Sequence, residues 1–249
     1  MNELLYNMIF KRKSFHTFKN KEKHLSEEEL IGIENVIKTL KPLDKDIDTD
    51  VKIVKREETT CKTGEYCILI YSEKKDNYLL NIGYLFEQLD LYLASKNIGC
   101  CWNGLGKTEM STYNGLEYVI MLAIGKVEES EFQRDISKYK RREINEFWNG
   151  NEYLNIASSV QLTPSACNSQ PWLVNVSSNE LMVYRYRREN EKCALPVDIS
   201  YFNKIDIGIF ILFLELSLEH YDIKYKRNIF IDNYIEEKDK NLIAKYELN

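Results

Sequence analysis

An internal repeat constrains the fold of this chain more than any other feature of its sequence. Residues 81–93 align with residues 206–218 at a constant offset of 125 (206 minus 81). An Ile-Gly pair stands at the same place in both stretches, and Asp90 recurs as Glu215. Both stretches are apolar almost all round, which predicts two buried helices, one in each half of the chain. Chance similarity between two apolar helices is the alternative interpretation.

The segments that flank the two helices repeat in the same order, although more weakly. Apolar runs typical of buried strands lie at 66–71 and 118–124 in the first half, and a similar pair lies at 181–186 and 242–248 in the second. Each half is therefore predicted to run helix, strand, strand, long buried helix, strand. The prediction is an α+β fold of two tandem half-repeats, residues 1–149 and residues 150–249, which meet at Asn149-Gly150.

Two shorter helices are predicted from their boundaries. Ser26 and Glu29 form a capping-box pattern before an apolar run, and that helix must end before Pro42. Residues 151–162 form a second helical pattern, which Pro164 closes.

Composition and charge exclude several classes of partner. The chain has 249 residues and a net charge of −5, so it lacks the clustered basic surface that nucleic acids need. Its longest apolar run, residues 205–218, contains two acidic residues and is shorter than the ~20 residues of a membrane span. The six cysteines show no CxxC spacing, which argues against a metal site. With no export signal in the sequence, we expect a cytoplasmic protein with reduced thiols and with no metal, membrane or nucleic-acid partner.

The segment 163–172 is locally unusual because it follows a predicted helix and is rich in small polar residues. Pro164 and Pro171 bracket it, so it can neither continue a helix nor pair as a central strand. It is predicted to be a fixed, irregular loop with many hydrogen-bond donors and acceptors. A plain helix-to-strand connection stiffened by proline is the alternative.

This decapeptide resembles the loop A-P-S-x-x-N-x-Q-P-W of nitroreductase-family flavoproteins. Arg12-Lys13-Ser14, with the residues that follow it, resembles the R-R-S-x-R-x-F motif of the same family. Residues 97–104 resemble the family's glycine-rich turn, and residues 123–126 with 140–142 resemble its closing strand and basic tail. The resemblance implies a nitroreductase-like fold that binds FMN.

The order of the two motifs departs from the family pattern. Ordinary members carry the second motif shortly after the first and bind FMN at the interface of a homodimer, whereas here the motifs lie in different halves of the repeat. Each half lacks the motif that the other keeps. The chain therefore resembles a fused subfamily first known from thermophilic bacteria, and the resemblance implies an intramolecular pseudo-dimer with one FMN site, monomeric in solution.

The resemblance assigns the phosphate of FMN to five residues. Arg12 and Ser14, with Lys13 between them, are expected to hold it, and Lys140 and Arg141 are expected to add positive charge.

The flavin ring and its ribityl chain are assigned to the remaining residues of the motifs. His16 stands where the family usually has Arg or Lys near the N1 and O2 edge, and it would supply charge only when protonated. A surface histidine is the alternative reading of this position. Gly104 and Gly106 are expected to let the backbone approach the ring. The loop residues assigned to the flavin are Pro164, Ser165, Ala166, Asn168 and Gln170. As an equal alternative, Gln170 and Trp172 brace the loop and do not contact the flavin.

The implied activity is an FMN-dependent oxidoreductase that takes hydride from NAD(P)H and reduces nitroaromatics, quinones or similar small conjugated acceptors in ping-pong order. No side chain is expected to act as a catalytic nucleophile or general acid, although Cys167 lies inside the loop. There are two alternative functions. One is another reductive reaction on the same cofactor, and the other is binding of a flavin or another ligand without turnover.

Overall fold

The computed structural model of the chain describes residues 2–19, 22–133, 138–186, 199–232 and 240–249. The chain divides into two compact units that interleave in sequence. Unit 1 consists of Met1–Phe10, Leu79–Tyr84 and Ser137–Asn249, and unit 2 of Lys11–Tyr78 and Leu85–Ile136. These units follow contacts in space, whereas the halves 1–149 and 150–249 stay a prediction about the repeat.

Within the described ranges the secondary structure is mixed. The helices are α1 (Asn2–Lys11), α2 (Glu27–Ile37), α3 (Tyr78–Ser95), α4 (Ile144–Phe147), α5 (Leu154–Val160) and α6 (Ile199–His220). The strands are β1 (Thr49–Lys55), β2 (Tyr66–Ser72), β3 (Ile98–Asn103), β4 (Thr112–Tyr113), β5 (Leu116–Lys126), β6 (Trp148–Asn149), β7 (Trp172–Val176), β8 (Glu180–Tyr186), β9 (Tyr225–Ile229) and β10 (Lys240–Leu248).

The elements with the strongest apolar patterns are confirmed. The two long buried helices are α3 and α6, and the four predicted strands are β2, β5, β8 and β10. Helix α2 begins as the capping box predicts, because Ser26 Oγ accepts from the Glu29 N–H at 3.2 Å and Glu29 Oε2 accepts from the Ser26 N–H at 3.0 Å.

Strands β3 and β9, like the two-residue strands β4 and β6, are missing from the sequence prediction. The residues of β3 are assigned to a turn by the family resemblance, but they form a strand and the turn begins at Gly104. Strand β9 has the sequence YKRNI, in which half-buried and exposed residues alternate. It contains no apolar run from which a strand could be predicted.

The sheet of unit 2 has a buried interior strand, β2. Its order is β1-β2-β5-β3, every pairing is antiparallel, and β4 pairs with β5. Six of the seven residues of β2 are buried, so this strand forms the middle of the unit's core.

The sheet of unit 1 has the order β6-β7-β8-β10-β9. Its pairings are antiparallel except for the short parallel contact between β6 and β7. Helix α6 is buried along nearly its whole length, including the charged side chains of Asp206 and Glu215.

Four strands of each sheet follow one antiparallel pattern, β1-β2-β5-β3 in unit 2 and β7-β8-β10-β9 in unit 1. In both, an interior strand C-terminal to the long helix has an irregular pairing. The pairing of β5 with β2 shifts between Ile70 and Tyr71, and that of β10 with β8 shifts between Leu242 and Ala244. Such bulges bend a strand and increase its twist.

The repeated Ile-Gly pairs lie where α6 crosses the first turns of α3 within unit 1. A Cβ atom on Gly83 would lie 2.0 Å from the Ile205 carbonyl oxygen, and a Cβ atom on Gly208 would lie 2.0 Å from the Leu80 carbonyl oxygen. Leu80 and Ile205 are themselves separated by the repeat offset of 125 (205 minus 80). The two contacts are therefore reciprocal, as expected of a twofold arrangement.

No helix within the described ranges combines the length and the apolarity that crossing a bilayer needs.

Candidate functional site

The N-terminal motif lies in unit 2, directly after the end of α1. Ser14 forms a single parallel bridge with Cys100 of β3, and the Phe15 N–H donates to the Cys100 carbonyl at 3.0 Å. The Phe15 ring is buried and packs edge-on against Phe132. The motif is thus held along the edge of the sheet by backbone pairing and by one aromatic anchor.

Arg12 is the most buried member of this motif, with 2% of its surface exposed. Its Nε lies 3.1 Å from Asp90 Oδ2 and 3.5 Å from Glu87 Oε1, and its Nη2 donates to Ser14 Oγ at 3.2 Å. The second Glu87 oxygen accepts from Trp102 Nε1 at 2.9 Å. Two carboxylates on α3 therefore face a guanidinium that water barely reaches.

The electrostatics of this cluster follow from burial and pairing. Burial raises the pKa of Asp90 above its ordinary value, although Arg12 opposes the shift. Burial alone would lower the pKa of Arg12, but Asp90 and then Glu87 outweigh it and raise that pKa. The positive charge of Arg12 is thus balanced inside the protein, and its assignment to the FMN phosphate stays a prediction.

The other predicted residues of unit 2 are more accessible. Lys13 is half-buried, with its Nζ 4.8 Å from the centre of the Phe15 ring, and His16 is exposed. The His16 Nδ1 lies 3.5 Å from Cys101 Sγ, and burial raises the pKa of that thiol to about 11, so Cys101 stays protonated. Gly104 lies in an exposed turn after β3.

Gly106 has a different role from the one expected. A Cβ atom there would lie 2.5 Å from Met121 Sδ, so the missing side chain makes room for a core methionine. The glycine therefore has a packing role, and the approach of a flavin ring to its backbone stays a prediction.

The decapeptide 163–172 lies in unit 1 between α5 and β7, and it is the fixed, irregular loop that the sequence predicts. Cys167, Asn168 and Gln170 adopt φ values of 51°, 56° and 51°, in the left-handed region that side chains rarely occupy. Such a backbone persists only where its surroundings hold it.

Arg142 supplies much of that support, and the sequence prediction missed its role. Its backbone N–H donates to Gln170 Oε1 at 2.9 Å, and its Nη1 donates to the carbonyls of Trp172 at 2.9 Å and Gln170 at 3.3 Å. Arg142 and Gln170 are both buried. Gln170 therefore braces the loop, as the alternative interpretation states, and its assignment to the flavin loses its main support.

The polar groups at the tip of the loop are bonded within unit 1. Ser165 Oγ accepts from the Gln170 N–H at 2.9 Å, and the Ala166 N–H points to the Asp206 carboxylate, 3.1 and 3.2 Å from its two oxygens. The Asn168 amide uses both ends: Oδ1 accepts from Arg141 Nη1 at 2.5 Å, and Nδ2 donates to the Lys140 carbonyl at 2.7 Å. The basic tail and the loop are thereby joined.

The two ends of the loop are buried. Pro164 and Trp172 are both inside unit 1, and the Trp172 ring stacks on Phe210 with 5.0 Å between ring centres. These contacts are packing contacts, so Trp172 also anchors the loop.

Cys167 overturns one expectation about the cysteines. Cys61, Cys67, Cys100 and Cys101 are free and buried, whereas Cys167 is exposed on the loop and disulfide-bonded. The sequence does not predict this bond, because it contains no Cys-x-x-Cys pair. A disulfide-bonded sulfur is not a nucleophile, so the structure also excludes Cys167 as a free catalytic thiol.

The residues present fit the chemistry of FMN, with Arg12 as the exception. Lys13, Lys140 and Arg141 offer cations at partly or fully exposed positions, and Ser165 and Ala166 are half-exposed on a loop whose backbone is held in an uncommon conformation. Cations match a dianionic phosphate, and a rigid polar loop matches the hydrogen-bonding edge of a flat ring.

An α+β fold with this loop and this N-terminal motif defines a nitroreductase-like protein. The model of one protein family, described as "Putative TM nitroreductase", matches residues 4–218, and the chain belongs to that family. Family membership identifies the chain as an oxidoreductase in the general sense.

A solved structure shows the same fold. The chain is similar to a putative nitroreductase from Thermotoga maritima, with 21% identity, a TM-score of 0.64, and coverage of 98% of this chain and 94% of that one. Weaker similarity extends to a putative NADH dehydrogenase/NAD(P)H nitroreductase from Bacteroides thetaiotaomicron (14% identity, TM-score 0.43, 57% of this chain and 94% of that one). Its counterpart from Parabacteroides distasonis has 14% identity and a TM-score of 0.44, over 60% of this chain and 98% of that one. No curated protein sequence matches the chain.

Proposed function

We propose that the protein is an FMN-dependent oxidoreductase that takes electrons from NAD(P)H and reduces small nitroaromatic, quinone or similar conjugated acceptors. The observation that carries the proposal is the loop 163–172, which has the family's motif and is held with three residues in the left-handed region. FMN, when bound, supplies the hydride chemistry, and the protein supplies position and charge.

In this proposal the exposed cations and the loop have separate tasks. Lys13, Ser14, Lys140 and Arg141 bind the phosphate, because a dianion needs several charge-assisted hydrogen bonds. Arg12 orders Ser14 through the hydrogen bond from its Nη2, whether or not it also reaches the phosphate.

Ser165, Ala166 and Asn168 present the loop to the ring and the ribityl chain, with Gly104 giving close backbone access. Pro164, Gln170 and the buried Arg142 keep the loop in shape. His16 supplies a cation at the ring edge only at a pH where its imidazole is protonated.

We also propose that the chain is a fused pseudo-dimer of halves 1–149 and 150–249 and is a monomer in solution, with no nucleic-acid or membrane partner. Two observations support the duplication: the shared strand order of the two sheets and the reciprocal contacts of Gly83 and Gly208. Size-exclusion chromatography with light scattering should give the mass of one chain, and a stable dimer would contradict the monomer.

Titration of the purified protein with FMN, followed by quenching of flavin fluorescence, tests the cofactor. Asn168→Ala removes the link between the loop and the basic tail, so it should weaken FMN binding about tenfold, equivalent to ~1.4 kcal/mol. The matched control is Asn145→Ala, at an exposed position of α4, which should leave the affinity unchanged. If both variants bind FMN as tightly as the parent protein, the loop is not part of the FMN site.

A second candidate is a protein that binds a flavin or similar ligand without turnover. The pairing of Arg12 with Asp90 and Glu87 favours it, because the motif's arginine is already neutralised. Adding NADH or NADPH to the FMN-loaded protein separates the candidates. Loss of the visible flavin band and its return with a quinone or nitroaromatic supports the oxidoreductase. An unchanged band supports the binding protein, and loss of the band without turnover of either acceptor supports a different reductive reaction.

A further inference from the structure

Two cysteines lie together in the core of unit 2. Cys61 precedes β2 in the chain, and Cys67 is the second residue of β2. Their exposed fractions are 5% and 0%. Both belong to a core cluster on one face of the sheet, together with Val54, Leu69 and Met121 among others.

The two thiols share a network of hydrogen bonds. Asn103 Nδ2 donates to Cys61 Sγ at 2.9 Å, while Thr59 Oγ1 lies 3.5 Å from Cys67 Sγ and accepts from the Cys61 N–H at 3.1 Å. Thr59 therefore contacts both cysteines, and Asn103 holds the Cys61 sulfur.

A threonine between the two cysteines adds a polar atom without a partner. The Thr63 carbonyl oxygen lies 3.3 Å from Cys61 Sγ. Thr63 Oγ1 is buried and has no hydrogen-bond partner in the described part of the chain. A buried hydroxyl without a partner is costly, so this atom marks a local defect in the polar bonding beside the cysteines.

The network makes the two thiols unequal. The interaction with Cys67, followed by those with the Thr63 backbone and the Asn103 amide, outweighs burial and lowers the pKa of Cys61 to about 6. The same contact and burial raise the pKa of Cys67. A thiolate beside a protonated thiol is the arrangement in which one sulfur attacks and the other completes a disulfide.

We propose that Cys61 and Cys67 form a redox-active dithiol that reacts with hydrogen peroxide. The choice of oxidant follows from access, because a protein disulfide cannot reach sulfur atoms this deeply buried, whereas hydrogen peroxide is nearly as small as water. Cys100 and Cys101 are also buried, but burial raises the pKa of each, so neither supplies a thiolate.

The chemistry takes two steps. The Cys61 thiolate attacks one peroxide oxygen, the O–O bond breaks, and hydroxide leaves, so that Cys61 becomes a sulfenic acid. The Cys67 sulfur then attacks the Cys61 sulfur, the S–O bond breaks, and water leaves with the Cys67 proton. In total, two thiols and one hydrogen peroxide give one disulfide and two water molecules, and a small dithiol reductant such as dithiothreitol reverses the change.

Peptide mapping of the intact chain after brief peroxide treatment and alkylation tests this proposal. We expect a disulfide-linked pair of peptides carrying Cys61 and Cys67, absent before treatment and removed by dithiothreitol. Cys67→Ser should stop the reaction at a Cys61 sulfenic acid, trapped by dimedone, and Cys61→Ser should abolish it. Cys101→Ser is the matched control and should react like the parent protein. If no Cys61–Cys67 disulfide forms, or if Cys101 is oxidised as fast as Cys61, the proposal is wrong.

The pH dependence of Cys61 alkylation gives a second readout that does not need oxidation. The thiolate fraction rises with pH, so the iodoacetamide reaction of Cys61 should reach half its maximal rate near pH 6. Asn103→Ala removes one donor to the thiolate and should raise that midpoint by about one pH unit. A midpoint above pH 8 in the folded parent protein would overturn the proposal.

Discussion

The two long helices use matched positions of the repeat in different ways. Gly83 of α3 and Gly208 of α6 have the same role, which is to let the two helices approach closely. A Cβ atom built on either glycine would lie 2.0 Å from a carbonyl oxygen of the other helix. The matched acidic residues have separate partners. Asp90 pairs with Arg12 of the N-terminal motif, whereas Glu215 pairs with Arg227 at 2.7 Å.

The surroundings of the two carboxylates differ as well. Glu215 also accepts from Tyr84 Oη at 2.8 Å and from Tyr246 Oη at 2.7 Å, and burial raises the pKa of both tyrosines, so they remain donors. Asp90 shares its arginine with a second carboxylate, Glu87. Backbone contact thus preserves the repeat where space is limiting, and the electrostatic environment diverges where different neighbours supply the charges.

The largest expected effect is at Arg12. Arg12→Ala leaves Asp90 and Glu87 buried without their cation, which should lower the free energy of unfolding by about 3–5 kcal/mol. Urea denaturation followed by circular dichroism measures this loss. Lys13→Ala, one residue along, should change it by less than about 0.5 kcal/mol, because Lys13 is half-buried and its ammonium group lies over the Phe15 ring instead of a buried carboxylate. Equal losses would contradict a structural role for Arg12.

The glycine contacts should give the next largest effect. Gly83→Ala and Gly208→Ala each place a methyl group against a helix carbonyl, so each should cost about 3 kcal/mol in the same denaturation experiment. Gly32→Ala is the matched control, because no described atom lies within 4 Å of a Cβ atom there and alanine favours a helix. Similar losses at both positions would support the reciprocity of the crossing, and a loss at one position only would break it.

The smallest effect is expected at the second carboxylate. Glu215→Gln keeps the shape and an oxygen acceptor for the tyrosines but removes the charge facing Arg227. Since Arg227 is 25% exposed and can turn to water, the loss should be about 1.5–3 kcal/mol, below that of Arg12→Ala. Thermal and urea unfolding of the two variants side by side checks the order. A larger loss for Glu215→Gln would reverse the comparison drawn between the two helices.

Much of the candidate site is predictable from the sequence because proline and small polar residues have strong local effects. The bracket of Pro164 and Pro171 is enough to predict the irregular loop, since proline restricts the backbone wherever it stands. The brace formed by Arg142 is not predictable, since a basic run in a polar segment is usually a solvated surface. Its burial depends on the carbonyls of Gln170 and Trp172, which the chain brings to it from about 30 residues further on.

Local pattern also explains which elements the sequence predicts well. The apolar runs of β2 and of the two long helices are clear signals, because a buried segment must be apolar wherever its neighbours come from. The polar edge strand β9 carries no such signal, and its strand form depends on pairing with β10.

The sequence by itself determined the class of fold, the loop and the family motifs, because these depend on periodicity, on proline and on short-range identity. Only the tertiary structure decided that Arg12 is paired inside unit 2, that Gly106 makes room for Met121, and that Cys61 and Cys67 lie in one core cluster. Charge, packing and thiol reactivity depend on distances between residues far apart in the chain, and those distances exist only after folding.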